Sequence, residues 1–362
     1  MVRVLAVSDL HVDHPSNLEW VVKLSDTEYQ DDVIIVAGDV THKLSLLEET
    51  LAILQAKFAD VFFTPGNHDL WLDSSSSAPS TSSSSSFGKL DDVLSLCARM
   101  GVQTTAKKME IEGTHVWIVP IFSWYHASWD READWPDALP PRKVIADFRA
   151  CKWPDHLSPH DDSLAREFDK LNDPELGNLE TVLDLERDSA FEKNPLVISF
   201  SHFVPRSELI PEKSKLFYKN LPKAVGSDYL ERRIEELKSD VHVFGHTHFS
   251  WDCYIGGTRY VQWPLAYPKE QERRRKYGIS QTFSSSGQPP QSGASAGDAA
   301  AAKTPHPFAE WKPLVVYDSA GVTPCKRTYW CNHYQLSTQK QRAKPAVPLA
   351  RGRNALKPGG IK

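Results

Sequence analysis

Pro65-Gly66-Asn67-His68-Asp69 is the stretch that decides how this chain folds. It follows Asp60-Val61-Phe62-Phe63-Thr64, a short apolar run of the kind that forms a buried strand. Gly66 is expected to let the backbone turn sharply where that strand ends. The turn then presents an amide, an imidazole and a carboxylate side by side. Alone, Gly-Asn-His-Asp is also ordinary loop chemistry, because Gly and Asn favour turns and His and Asp are polar. Its weight comes from similar clusters at the ends of other apolar runs.

Two such runs lie upstream. Val2 to Ser8 ends at Asp9-Leu10-His11, and Asp32 to Ala37 ends at Gly38-Asp39. A polar stretch from Asn17 to Asp26 separates them. Between the second and third runs, Leu44, Leu47, Leu51, Leu54 and Phe58 recur at three- and four-residue intervals, the apolar face of a helix over Lys43–Ala59. Strand, helix, strand, helix, strand predicts three adjacent parallel strands. Downstream, the pattern predicts a helix from about Lys89 to Met100 and strands near Lys107–Ile111 and His115–Ile121. Helices are expected around Asp161–Leu171 and Asn178–Phe191. Leu196–Phe200 is a further strand, ending at Ser201-His202. A helix over Asp228–Lys238 leads into Val241–Phe244, which ends at Gly245-His246-Thr247-His248. Trp251–Ile255 and Thr258–Gln262 flank Gly256-Gly257, a hairpin signal, and Leu314–Tyr317 resumes as a strand.

Composition bounds the class. With 362 residues, 40% hydrophobic and 25% charged, the chain reads as a soluble globular protein. Its net charge of −5 argues against a nucleic-acid surface covering the whole molecule. Five scattered cysteines fit a reducing, cytoplasmic setting better than a disulfide framework. No apolar run reaches the length of a membrane span, and the first residues are too short for a signal peptide. Low-complexity stretches at 74–86 and 280–304 are expected to be disordered insertions in one domain over residues 1–335. Residues 336–362 form a basic tail, also expected to be disordered.

Five apolar strands thus end in polar clusters. In open α/β sheets, ligands sit outside the carboxyl ends of the strands. That places Asp9, His11, Asp39, Asn67, His202, His246 and His248 on one rim, with His68 among them. Two Asp, one Asn and four His, without cysteine, suit divalent ions such as Mn, Fe or Zn. Seven donors are too many for one ion with open positions. They fit two ions sharing one bridging carboxylate.

These blocks, in this order and at this approximate spacing, resemble the calcineurin-like metallophosphoesterases over residues 2 to 265. The resemblance implies an α/β fold, a four-layer α/β/β/α sandwich of two mixed sheets flanked by helices. It implies Asp9, His11 and His248 on a first metal, Asp39 as the bridge, and Asn67, His202 and His246 on a second. His68 would stabilise or protonate the leaving oxygen, with Asp69 orienting it. The implied activity is hydrolysis of a phosphate ester by a metal-bridging hydroxide. A nuclease and a non-catalytic scaffold on the same fold are the alternatives.

Departures narrow the branch. The protein Ser/Thr phosphatases carry an arginine soon after the bridging Asp and a Glu after the catalytic His. Here Val40-Thr41-His42-Lys43 follows Asp39, and Asp69 follows His68. Purple acid phosphatases place a tyrosine where this chain has His42. The sequence is more similar to the small-molecule phosphodiesterase and uncharacterised phosphoesterase branches, so a phosphodiester or nucleotide-like substrate is expected. His14, His42 and His242 are not needed by the pattern. Arg273–Lys276, beside Glu270 and Glu272, reads as part of a solvated helix. The aromatic run Ser123–Trp129, with Trp135 beyond it, leaves two readings open. It is either a wall gripping the organic part of a substrate or a set of rings covering the sheet edge.

Overall fold

The computed structural model describes residues 1–72, 84–188, 194–277 and 311–326. The insertion at 280–304, the basic tail and residues 74–83 lie outside the described residues.

The apolar runs form two sheets. The first carries β1 (Val4–Val7), β2 (Val33–Ala37) and β3 (Asp60–Thr64) as parallel neighbours. The second is built from β4 (Lys107–Ile111), β5 (Thr114–Pro120), β6 (Leu196–Phe200), β7 (Val241–Phe244), β8 (Trp251–Ile255) and β9 (Thr258–Gln262), in the order β4-β5-β6-β7-β9-β8. Its four central strands are parallel and its two edge strands antiparallel. After the undescribed stretch, β10 (Leu314–Asp318) pairs antiparallel with β1, and β11 (Gly321–Val322) pairs with β10.

Alternation along the strands sorts the core into layers. Val33, Ile35 and Ala37 of β2 face inward and pack with Ile198, Phe200, Val241 and Val243 from the other sheet. Ile34 and Val36 face outward, onto Leu47, Leu51 and Leu54 of the helix Leu44–Lys57. On the far side, Val197, Phe244 and Tyr260 meet Leu164, Phe168, Leu183 and Ile234 of three helices. Helices, sheet, sheet and helices make the four layers expected.

Boundaries move by a few residues. The helix expected from Lys89 begins at Ser86, because Ser85 is its N-cap and accepts from the Gly88 N–H. The end of the serine run is therefore a helix start. Gly101, with φ +76°, closes that helix in the left-handed conformation. Gly256 and Gly257 both have positive φ, as a two-residue hairpin turn requires.

Candidate metal centre

Every candidate ligand follows the C-terminal end of a strand, and the parallel strands of both sheets bring those ends to one edge. The backbone there is forced. Asp9, His11, Asp39, His246 and His248 all have φ between 43° and 76°, the left-handed region that L residues rarely adopt. Such conformations persist only where surrounding structure holds them, and they gather at functional sites. Gly66 departs from expectation. It is needed for space rather than for its own φ, since a Cβ there would lie 2.3 Å from Asp39 Oδ1 and 2.8 Å from the His202 ring.

Two donor groups form. In one, His11 Nε2 is 2.9 Å from His248 Nε2, and His248 Nε2 is 3.5 Å from Asp9 Oδ1. In the other, Asn67 Oδ1 is 3.0 Å from His202 Nε2 and 2.9 Å from His246 Nδ1. Donors around a cation at ~2.1 Å are about 3.0–3.4 Å apart, so these separations are close to the edges of a coordination polyhedron. The hydrogen bonds point the lone pairs inward. His202 Nδ1 is bonded to the Ala37 carbonyl, His246 Nε2 to the Ala224 carbonyl, and His248 Nδ1 to Glu270 Oε2. Each bond leaves the opposite ring nitrogen free to ligate. Residues of both groups could therefore hold a metal.

Charge agrees. Burial would raise Asp39, but His202, His68 and His11 hold it well below the usual carboxylate range. Burial lowers His202, yet Asp39 outweighs it and pushes the ring up to about 9, a pull on the Nε2 proton that a cation would satisfy in its place. Asp9 and Asp39 are both almost fully buried, and burial raises Asp9 against the pull of His248 and His202, so a positive charge beside the pair would stabilise both carboxylates.

Residues 2–250 match the calcineurin-like phosphoesterase family. The chain belongs to that family. The phosphoesterase is 26% identical over 282 residues to the [acyl-carrier-protein] phosphodiesterase PptH of Mycobacterium tuberculosis, covering 75% of this chain and 80% of the relative. The crystal structure of phosphopantetheinyl hydrolase (PptH) from that organism superposes with a TM-score of 0.54 at 23% identity. That match covers 76% of this chain and 93% of the other. The protein is accordingly a hydrolase acting on phosphate esters through bound metal.

Other residues of the phosphoesterase sit differently from the sequence expectation. Asp69 does not orient His68. Its buried carboxylate accepts the main-chain N–H groups of Asp39, Val40, Thr41 and Gly66 at 2.8–3.0 Å, tying the loop after β2 to the loop after β3. Consecutive side chains in the short helix His68–Leu70 point apart, so one carboxylate cannot serve both tasks. The His68 ring instead stacks on Trp71, centroids 3.6 Å apart.

Asp147 was missed, because it lies in a stretch without period. Its Oδ1 accepts from Asn67 Nδ2 (2.8 Å) and Trp71 Nε1 (2.7 Å), which turns the Asn67 oxygen toward the histidines. The helix expected around Arg273–Lys276 forms over Pro268–Tyr277, but its Glu270 is turned onto His248 rather than to solvent alone. His242 is a structural residue, bonded to the hydroxyls of Ser199 and Ser201.

The aromatic run is core, and the substrate-wall reading fails for its main members. Trp124 is 1% exposed and packs on Trp153, Phe168 and Phe203, and Trp129 is 4% exposed. Of the tryptophan and tyrosine rings in this stretch only Trp135 is exposed, with the Lys219 ammonium 4.9 Å above it. Trp124→Ala is expected to lower stability by about 3–5 kcal/mol. Urea unfolding measures that loss. A variant of unchanged stability but raised KM would restore the wall reading.

Proposed function

We propose that this phosphoesterase is a dinuclear phosphodiesterase whose two cations share Asp39. One observation carries the proposal: Asp39 Oδ1 lies 3.3 Å from His202 Nε2 while its Oδ2 lies 3.9 Å from His11 Nε2, so each oxygen faces one donor group. Asp9, His11 and His248 complete the first set, and Asn67, His202 and His246 the second. Imidazole, carboxylate and amide donors suit Mn, Fe or Zn. When bound, such a pair of cations lowers the pKa of a water between them and draws charge from the phosphoryl oxygens.

The chain's own residues do the rest. Gly66 keeps the floor open beside Asp39. Trp71 holds the His68 ring face to face, with Nε2 3.9 Å from Asp39 Oδ2. Burial pushes the His68 pKa down to about 4 against the pull of Asp39. The ring is then neutral near pH 7 and offers one N–H to a leaving oxygen, stabilising it by a hydrogen bond.

The diester preference is supported by the mycobacterial relative, a phosphodiesterase by name that aligns over most of this chain. An acyl carrier protein bearing a phosphopantetheinyl diester is therefore the first substrate to try. Incubation with Mn²⁺, Zn²⁺ or Fe²⁺ and intact-mass measurement of the carrier protein decides this, beside a panel of phosphomonoesters, diesters and nucleotides. Cleavage confined to monoesters would overturn the diester assignment.

One domain over residues 1–335 is supported by β10, which returns to pair with β1. A reducing, cytoplasmic location is supported by the four cysteines among the described residues, all free. No helix among the described residues is long and apolar enough to cross a membrane.

A further inference from the structure

Past the family match, the chain turns back over the centre at Ala266–Glu270, the turn that leads into and begins the helix Pro268–Tyr277, and nothing in the motif pattern assigns it a role. Its anchoring is dense. The Ala266 N–H donates to the Asp9 carbonyl at 2.9 Å. The Ala266 carbonyl accepts from Asn17 Nδ2 (3.0 Å) and Gln271 Nε2 (2.9 Å). Ala266 itself has φ +66°, a left-handed conformation that such anchoring sustains in a residue with a Cβ.

The turn delivers two side chains to the site. Glu270 Oε2 accepts from His248 Nδ1 at 2.6 Å and from the Tyr267 N–H at 3.2 Å. The Tyr267 ring stacks on His11 (centroids 4.4 Å, 30°) and meets the edge of His248 at 4.8 Å. Its hydroxyl is 3.3 Å from His68 Nε2. A single turn thus touches both histidines expected on the first cation and the histidine expected at the leaving oxygen.

We propose that the Ala266–Glu270 turn is the orienting arm of the centre, with Glu270 positioning His248 as a ligand of the first cation and Tyr267 positioning His68. This rests on the two-cation reading above. Glu270 plays the part of the carboxylate behind a ligating imidazole: it fixes which nitrogen carries the proton and which way the ring faces. Tyr267 plays, through His68 Nε2, the orienting part that Asp69 does not. Glu270 bonds the His248 ring and the Tyr267 hydroxyl meets the His68 ring, so the two substitutions test separate contacts.

The test is Mn²⁺ titration by calorimetry, followed by steady-state kinetics, on wild type, Glu270→Gln and Tyr267→Phe. Both positions are only partly buried, and both changes keep side-chain shape, so apo melting temperatures should match wild type. Glu270→Gln is expected to weaken one of two Mn²⁺ sites by about 10–100-fold and leave the other unchanged. Tyr267→Phe is expected to bind Mn²⁺ as wild type does. Its kcat on an alkyl diester should fall about tenfold or more at unchanged KM, and less on a nitrophenyl ester. Unchanged affinity at both sites in Glu270→Gln, or an equal loss at both, overturns the Glu270 assignment. Equal kcat losses on both esters overturn the Tyr267 assignment. A wild type that binds fewer than two Mn²⁺ ions overturns the two-cation reading itself, a separate outcome from either.

Discussion

Asp39→Ala is expected to abolish turnover, by more than the roughly 100-fold upper range of a supporting residue, and to leave the purified protein without two tightly held cations. The reason is geometric. The carboxylate faces both donor groups at once, through Oδ1 toward His202 and Oδ2 toward His11. Without it, each set loses a donor and the two cations face one another unscreened. The histidines held near Asp39 would also lose the charge that balances them, since Asp39 is what raises His202. Folding should survive, because the loop around residue 39 is held through main-chain N–H groups by Asp69. Metal analysis of the purified variant decides the matter. Two tightly bound ions per chain would refute the bridging role.

His68→Ala should behave in the opposite way, keeping both cations while kcat falls by roughly 10²–10⁴-fold. The hydrogen bond that His68 makes to Asp39 comes from its main-chain N–H to Oδ1 (2.9 Å), and alanine retains it. What is lost is the imidazole, clamped between Trp71 and the Tyr267 hydroxyl. Nitrophenolate needs little help in leaving, so the loss should shrink on nitrophenyl esters. Kinetics on paired good and poor leaving groups checks this. Loss of metal, or equal loss on both ester types, would place His68 elsewhere in the chemistry.

Most of the architecture was legible in the residues. Short β-branched runs ending in Asp, Asn or His carry their own strand signal, and parallel order follows from the helices between them. Because strand ends of parallel sheets share an edge, the seven donor positions could be gathered without coordinates. Resemblance to one family divided them into two sets.

Other features needed the folded chain. Asp69 and His68 are neighbours in sequence, yet their side chains diverge, and the carboxylate is taken up by four N–H donors from two loops. Asp147 and Glu270 lie 80 and 22 residues from the side chains they hold, in stretches whose local pattern is that of any solvated acid. The aromatic run had no period, because its rings fill an irregular space between a sheet face and three helices. The sequence by itself determined the strands and their ligand-bearing ends, because period and order are local properties of a chain, while the two-sheet sandwich followed only from the family resemblance. Only the tertiary structure decided which groups orient those ligands, because a hydrogen bond across 22 or 80 residues depends on where two loops meet.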